Sequence, residues 1–130
     1  MDKVKVLAVD DDPRYLELLE FTLIGEGFEV RTVQDPTRVQ AIAASDLPGV
    51  IVTDVTMPNL DGYALAAGLK SDPRTAHIPL IFLTARGKNG DRQEALSLGG
   101  VDYLMKPFSV NELVASIHRI VSPVGQKDNA

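Results

Sequence analysis

Five short apolar runs recur along this chain: "VKVLAV" (4–9), "FEVRTV" (28–33), "VIVT" (50–53), "LIFLTA" (80–85) and "VDYLM" (101–105). Each is too short for an ordinary globular helix and rich in β-branched residues, so each reads as a strand. Helix signals fill the intervals. Asp12-Pro13 is an N-cap followed by a first-turn proline. Leu16, Leu19 and Leu23 then recur at helical spacing until Gly25 and Gly27 stop the segment. Asp35-Pro36 caps a second helix with Val39, Ile42 and Ala43 on one side. "LPG" (47–49) is a turn, and Asp61 opens a third helix through "GYALAAGLK". The loop "SDPRTAHIP" leads to the fourth strand. "RGKNG" then opens a fourth helix carrying Ala95, Leu96 and Leu98, which Gly99-Gly100 ends. Ser109 and Glu112 form an S-x-x-E capping box for a fifth helix that buries Leu113, Ile117 and Ile120. Strand and helix therefore alternate five times, which predicts an α/β fold: a parallel sheet with helices on both faces. Right-handed crossovers leave few topologies open.

The 130 residues suit one domain, with residues 1–121 as the folded unit and 122–130 as a tail or linker stub. A chain of this size buries about two thirds of its unfolded surface. The net charge of −5 argues against direct nucleic-acid binding, which needs basic patches. The absence of cysteine excludes a disulfide frame and a thiolate metal site. No stretch approaches the ~20 apolar residues of a membrane span, and the N-terminus lacks a secretory pattern. A cytoplasmic location is the expectation.

Ligands of such sheets bind outside the carboxyl ends of the strands, so the residues there carry the functional argument. The first strand ends at Asp10 and Asp11, the third at Asp54 and the fourth at Thr84; the fifth runs into Lys106. With strands one and three as neighbours, three carboxylates converge. Their repulsion raises a pKa or recruits a cation, and a wet, all-oxygen site suits Mg²⁺. An ammonium and a hydroxyl beside it suit phosphate. One aspartate after a strand is ordinarily a helix cap, which is the reading for Asp12; the weight rests on the joint occurrence. His77 and His118 read as non-ligands. Tyr15 and Tyr63 read as half-buried packing residues. Arg14, Glu17 and Glu20 read as a solvated face, with a docking surface as the alternative.

"VLAVDDDP", "VIVTDVTMPNLDG", "IFLTA" and "YLMKPF", in this order and spacing, resemble the receiver domain of two-component response regulators, over about residues 4–121. The resemblance implies the flavodoxin-like (CheY-like) strand order 2-1-3-4-5. It implies that Asp54 is the phosphoacceptor and that Asp10, Asp11, Asp54 and the backbone carbonyl of Thr56 hold Mg²⁺. Thr84 and Lys106 would engage the phosphoryl group, and Tyr103 would act with Thr84 as the switch aromatic. Thr56 and Arg86 would tune the lifetime of the modification. Pro58 and Gly62 are expected to shape a loop without a chemical role. The donor would be a sensor histidine kinase, a histidine phosphotransfer protein or a small acyl phosphate. The face of helix four, strand five and helix five would then switch, to regulate a partner or output domain or to form a homodimer. The chain would not be an enzyme beyond self-catalysed phosphotransfer and autodephosphorylation. Two rivals stand beside this reading. A haloacid-dehalogenase-like phosphatase wants a second acid two residues after its nucleophile, where Thr56 stands, and usually a longer chain. A phosphorylation-independent interaction module usually lacks an acid or the lysine, and all are present here.

Overall fold

The structure, a computed structural model, describes residues 3–55, 57, 61–84, 97, 100–105 and 109–121. Strands β1 (Lys5–Val9), β2 (Glu29–Val33), β3 (Val50–Asp54), β4 (Leu80–Thr84) and β5 (Gly100–Met105) form one sheet in the order β2-β1-β3-β4-β5. Every pairing is parallel, so the expected fold class and strand order are both found. Helices α1 (Pro13–Gly25), α2 (Val39–Asp46), α3 (Gly62–Ser71) and a C-terminal helix (Val110–Val121) connect and close the sheet. Apart from helical Ser97, the expected fourth helix lies outside the described residues, as do residues 122–130.

Alternation along the strands sorts the core into two layers. Leu7, Val9, Ile51, Leu80 and Phe82 pack with Val39 and Ala43 of α2 and with Leu65 and Leu69 of α3. Val6, Ala8, Val50, Val52, Ile81 and Leu83 pack with Leu16, Leu19 and Leu23 of α1 and with Leu113 and Ile117 of the C-terminal helix. Because both faces are covered, the strands read as unbroken apolar runs. Pleating then assigns odd residues of β1 and β3 to the α2–α3 side and even ones to the α1 side.

Local chemistry sets most helix ends as expected. Asp12 accepts from the Arg14 N–H and Pro13 opens α1. Asp61 accepts from the Ala64 N–H at 2.8 Å. The capping box closes reciprocally: the Ser109 N–H donates to Glu112 Oε1 at 2.9 Å, and the Glu112 N–H to Ser109 Oγ at 3.1 Å. Asp35 does cap its segment, but that segment begins as a 3₁₀ turn over Pro36–Arg38 before α2.

α2 ends at Leu47, whose φ of 50° is left-handed. A side chain there costs roughly 1–2 kcal/mol, and Leu47 is largely exposed, so its packing recovers little. Leu47→Gly is expected to raise stability by about 1 kcal/mol in urea denaturation.

The loop after α3 is tied rather than loose. Thr75 is buried and donates to the Leu69 carbonyl at 2.7 Å. Gln40 of α2 donates to Asp72 at 2.9 Å and to Thr75 at 3.1 Å. Hydrogen bonds from Arg74 hold the Asp72 carboxyl well below the usual carboxylate range.

At the sheet's other edge the β4–β5 ladder slips at Leu80/Ile81, pairing Leu80 with Gly100 and Ile81 with Asp102, as a bulge does. Asp102 then accepts from Ser116 Oγ at 2.6 Å, from the Tyr103 N–H at 2.7 Å and from Arg119, which fixes β5 to the C-terminal helix.

Candidate functional site

The β1–β3 register builds the site. Val9 lies beside Thr53, so the next residues, Asp10 and Asp54, stand side by side at the carboxyl ends of adjacent strands. Both continue the even-numbered rows that face α1. Asp10, Asp11 and Asp54 each offer a carboxylate oxygen, and these atoms lie within 4.8 Å of one another. Asp10 is only 3% exposed and Asp54 8%; Asp11 is the more open of the three. Asp10 is held by the Asp12 N–H, which donates to its Oδ1 at 2.9 Å, and by its own N–H, which donates to the Val33 carbonyl at 3.3 Å. Two nearly buried like charges beside a third are costly in isolation. Oxygen-only donors at this spacing suit a hard divalent cation such as Mg²⁺.

The backbone of Asp54 is pinned from below. The strand runs one residue further than the apolar run suggests, and the Val55 N–H donates to the Leu83 carbonyl at 3.1 Å. The Val55 carbonyl accepts from the Gly62 N–H at 2.8 Å, and the Thr53 hydroxyl donates to the Asp54 carbonyl at 3.0 Å. The N-terminus of α3 thus presses on the end of β3 at Gly62. A Cβ built there would lie 2.5 Å from the Asp54 carbonyl oxygen. Gly62, expected only to shape a loop, is the contact that sets the height of Asp54. The Asp-Gly pair at a helix start was the available signal, but it does not say which backbone lies below.

Tyr15 is the second residue the sequence underrated. It packs, partly buried, on the α1-side core layer as expected, one turn before Leu19 and two before Leu23. It stands in the first turn of α1, which starts three residues after Asp10. Burial, followed by the negative fields of Asp10 and Asp54, pushes its phenol up to about 12. Tyr63 keeps its packing role, with its ring edge-on to Phe82 at 5.3 Å.

Of the other expected site residues, Thr84 ends β4, at the same pole of the sheet as Asp54. Tyr103 pairs with Phe82 across β4 and β5 and is buried in the α2–α3 core layer. Thr56, Arg86 and Lys106 lie outside the described residues, as does Pro58. His118 rests against the Phe28 ring at 5.2 Å. On α1, Leu18, Phe21 and Ile24 form an exposed apolar ridge opposite the buried stripe. The opposite pole of the sheet carries a concavity of about 990 Å³ lined by Lys3, Lys5, Leu47, His77 and Pro79, among others, which gathers no acid cluster among the described residues. No helix among the described residues is long and apolar enough to cross a membrane.

Comparison with known proteins agrees with this geometry. Residues 6–118 match the family model of the response regulator receiver domain. Response regulator PleD of Caulobacter vibrioides is 40% identical over 116 residues, covering 89% of this chain and 26% of the relative. The DNA-binding dual master transcriptional regulator RpaA of Synechocystis is 35% identical over 117 residues, covering 90% and 48%. The chain thus spans about a quarter to a half of the length of these relatives. Among solved structures, the Vibrio cholerae chemotaxis protein CheY4 superposes with a TM-score of 0.86 at 29% identity, covering 92% of this chain and 99% of that one. The receiver domain of sensor histidine kinase PA1611 from Pseudomonas aeruginosa, described with a magnesium ion coordinated in the active site cleft, gives 0.85 at 30% identity, covering 93% and 99%.

Proposed function

The chain belongs to the response regulator receiver family, and we propose that Asp54 is the carboxylate through which it takes up a phosphoryl group. The observation that carries this reading is the convergence of Asp10, Asp11 and Asp54 within 4.8 Å at the ends of adjacent strands. An Asp54 carboxylate oxygen bonds to phosphorus while the donor's P–N bond (phosphohistidine) or P–O bond (acyl phosphate) breaks, and the leaving group keeps the electron pair. The donor is a sensor histidine kinase, a histidine phosphotransfer protein or a small acyl phosphate. Mg²⁺, when bound by the three aspartates and the Thr56 carbonyl, supplies charge neutralisation at the reacting oxygens. Lys106 and Thr84 engage the phosphoryl oxygens, and Thr56 and Arg86 set how long the mixed anhydride survives. The chain catalyses its own modification and the later hydrolysis of the bond.

Phosphorylation adds about −2 charge and three acceptor oxygens, and signalling follows as a population shift. Thr84 and Tyr103 transmit it to β5 and the flanking helices, the face that meets an output domain, a partner or a second copy. The domain is assigned to residues 1–121, with 122–130 as tail or linker, and to the cytoplasm. The phosphatase reading is disfavoured because Thr56 stands where a second acid is needed. The phosphorylation-independent reading is disfavoured because the acids and the lysine are all retained.

Incubation with Mg²⁺ and acetyl phosphate, followed by intact mass, is expected to show the gain of one phosphoryl group, lost in Asp54→Asn. No gain in the unaltered chain, or an equal gain in the variant, would overturn the assignment.

A further inference from the structure

We infer that Tyr15 is a positioning residue of the phosphoacceptor site, its hydroxyl donating to the oxygens gathered at Asp54 and thereby lengthening the life of the phosphorylated state. The inference rests on the proposed role of Asp54 and goes beyond the acid, hydroxyl and ammonium set described above. Three features lead to it. The even-numbered rows of β1 and β3 face α1, and Asp10 and Asp54 are their last members. Leu16, Leu19 and Leu23 of α1 cover those rows, with Tyr15 packed against the same layer, and Tyr15 stands in the first turn of α1, which starts three residues after Asp10. The phenol also lies within the fields of Asp10 and Asp54 together.

A side chain in that position borders the space where the phosphoryl oxygens arise. Phosphorylation turns an already negative neighbourhood into one with additional strong acceptors, and a phenol is a protonated donor across the physiological range. Its hydrogen bond favours the phosphorylated ground state, and its bulk occupies part of the path that water needs for hydrolysis. The half-buried ring is held by the core layer beneath it, so the hydroxyl meets those oxygens without first being ordered.

Tyr15→Phe removes the hydroxyl and keeps the ring. After labelling with acetyl phosphate and Mg²⁺, hydrolysis in the variant is expected to be faster by about threefold or more, the worth of one hydrogen bond. Fluoroberyllate affinity should weaken by a similar factor, with the thermal midpoint unchanged. Tyr63→Phe, the same chemical change at a tyrosine packed on Phe82, should leave the lifetime unaltered. A Tyr15→Phe lifetime equal to or longer than that of the unaltered chain overturns the inference, as does an equal shortening in Tyr63→Phe. Failure of the unaltered chain to take up phosphate would instead overturn the role of Asp54, so the two failures are distinguishable.

Discussion

Gly62→Ala is expected to destabilise the protein by about 2–3 kcal/mol and to slow phosphoryl uptake by roughly a hundredfold. The added Cβ would meet the Asp54 carbonyl oxygen at 2.5 Å, the Val55 Cα at 3.0 Å and the Asp54 carbonyl carbon at 3.3 Å. All three are backbone atoms, so no rotamer change relieves the clash. Either the first turn of α3 lifts or the end of β3 sinks, and in both cases the 2.8 Å bond from the Gly62 N–H to the Val55 carbonyl is strained. The second route displaces Asp54 itself, and a misplacement of about 1 Å at a reacting group costs on the order of a hundredfold.

Gly68 supplies the control. It lies within α3, where a Cβ meets, among the described residues, only the Gln40 Oε1, at 3.5 Å, so Gly68→Ala should gain about 0.5–1 kcal/mol from helix propensity. Urea denaturation and the time course of phosphorylation measure the pair. Native stability and rate in Gly62→Ala would show that α3 does not hold the phosphoacceptor strand in place.

What the sequence discloses divides by the range of the interaction. Asp12, Asp61 and the Ser109–Glu112 box are legible because a cap hydrogen-bonds within three residues of itself. Leu16, Leu19 and Leu23 are legible because one helical stripe faces one core. The acids are legible because the carboxyl ends of parallel strands form a single pole, so Asp10, Asp11 and Asp54 needed only the neighbourhood of strands one and three. That neighbourhood came from the family resemblance and not from periodicity.

The misses have the opposite character. The left-handed turn falls on Leu47, two residues before the glycine of its turn, because α2 runs on until Pro48 ends it. The loop after α3 reads as irregular, yet a buried Thr75 binds it to Leu69 and Gln40; partners this distant leave no local mark. Asp102 carried no signal at all, since its partners Ser116 and Arg119 sit on another element. The exposed ridge of Leu18, Phe21 and Ile24 interrupts what was read as a solvated polar face on α1.

Asp10→Asn should separate function from stability by moving them in opposite directions. At about 5 Å and an effective dielectric of ~20, each carboxylate pair in the site repels by about 3 kcal/mol before relaxation and screening. Asparagine removes two of the three pairs. It also keeps an oxygen to accept the 2.9 Å bond from the Asp12 N–H, so the start of α1 is preserved. In a chelator the variant is therefore expected to be more stable by about 1–2 kcal/mol, a rise of several degrees in Tm. Divalent cations act with the reverse sign. The unaltered chain gains stability as RT ln(1 + [L]/Kd), while the variant, with one charge fewer, should bind about tenfold more weakly or worse. Thermal melts across a Mg²⁺ series should bring the two curves together as the ion is added, because the unaltered site, with three repelling pairs and the tighter binding, gains more from the ion than the variant does. A variant less stable than the unaltered chain in the chelator would mean that the acids are already neutralised within the fold, and that the site holds no electrostatic strain for a cation to release.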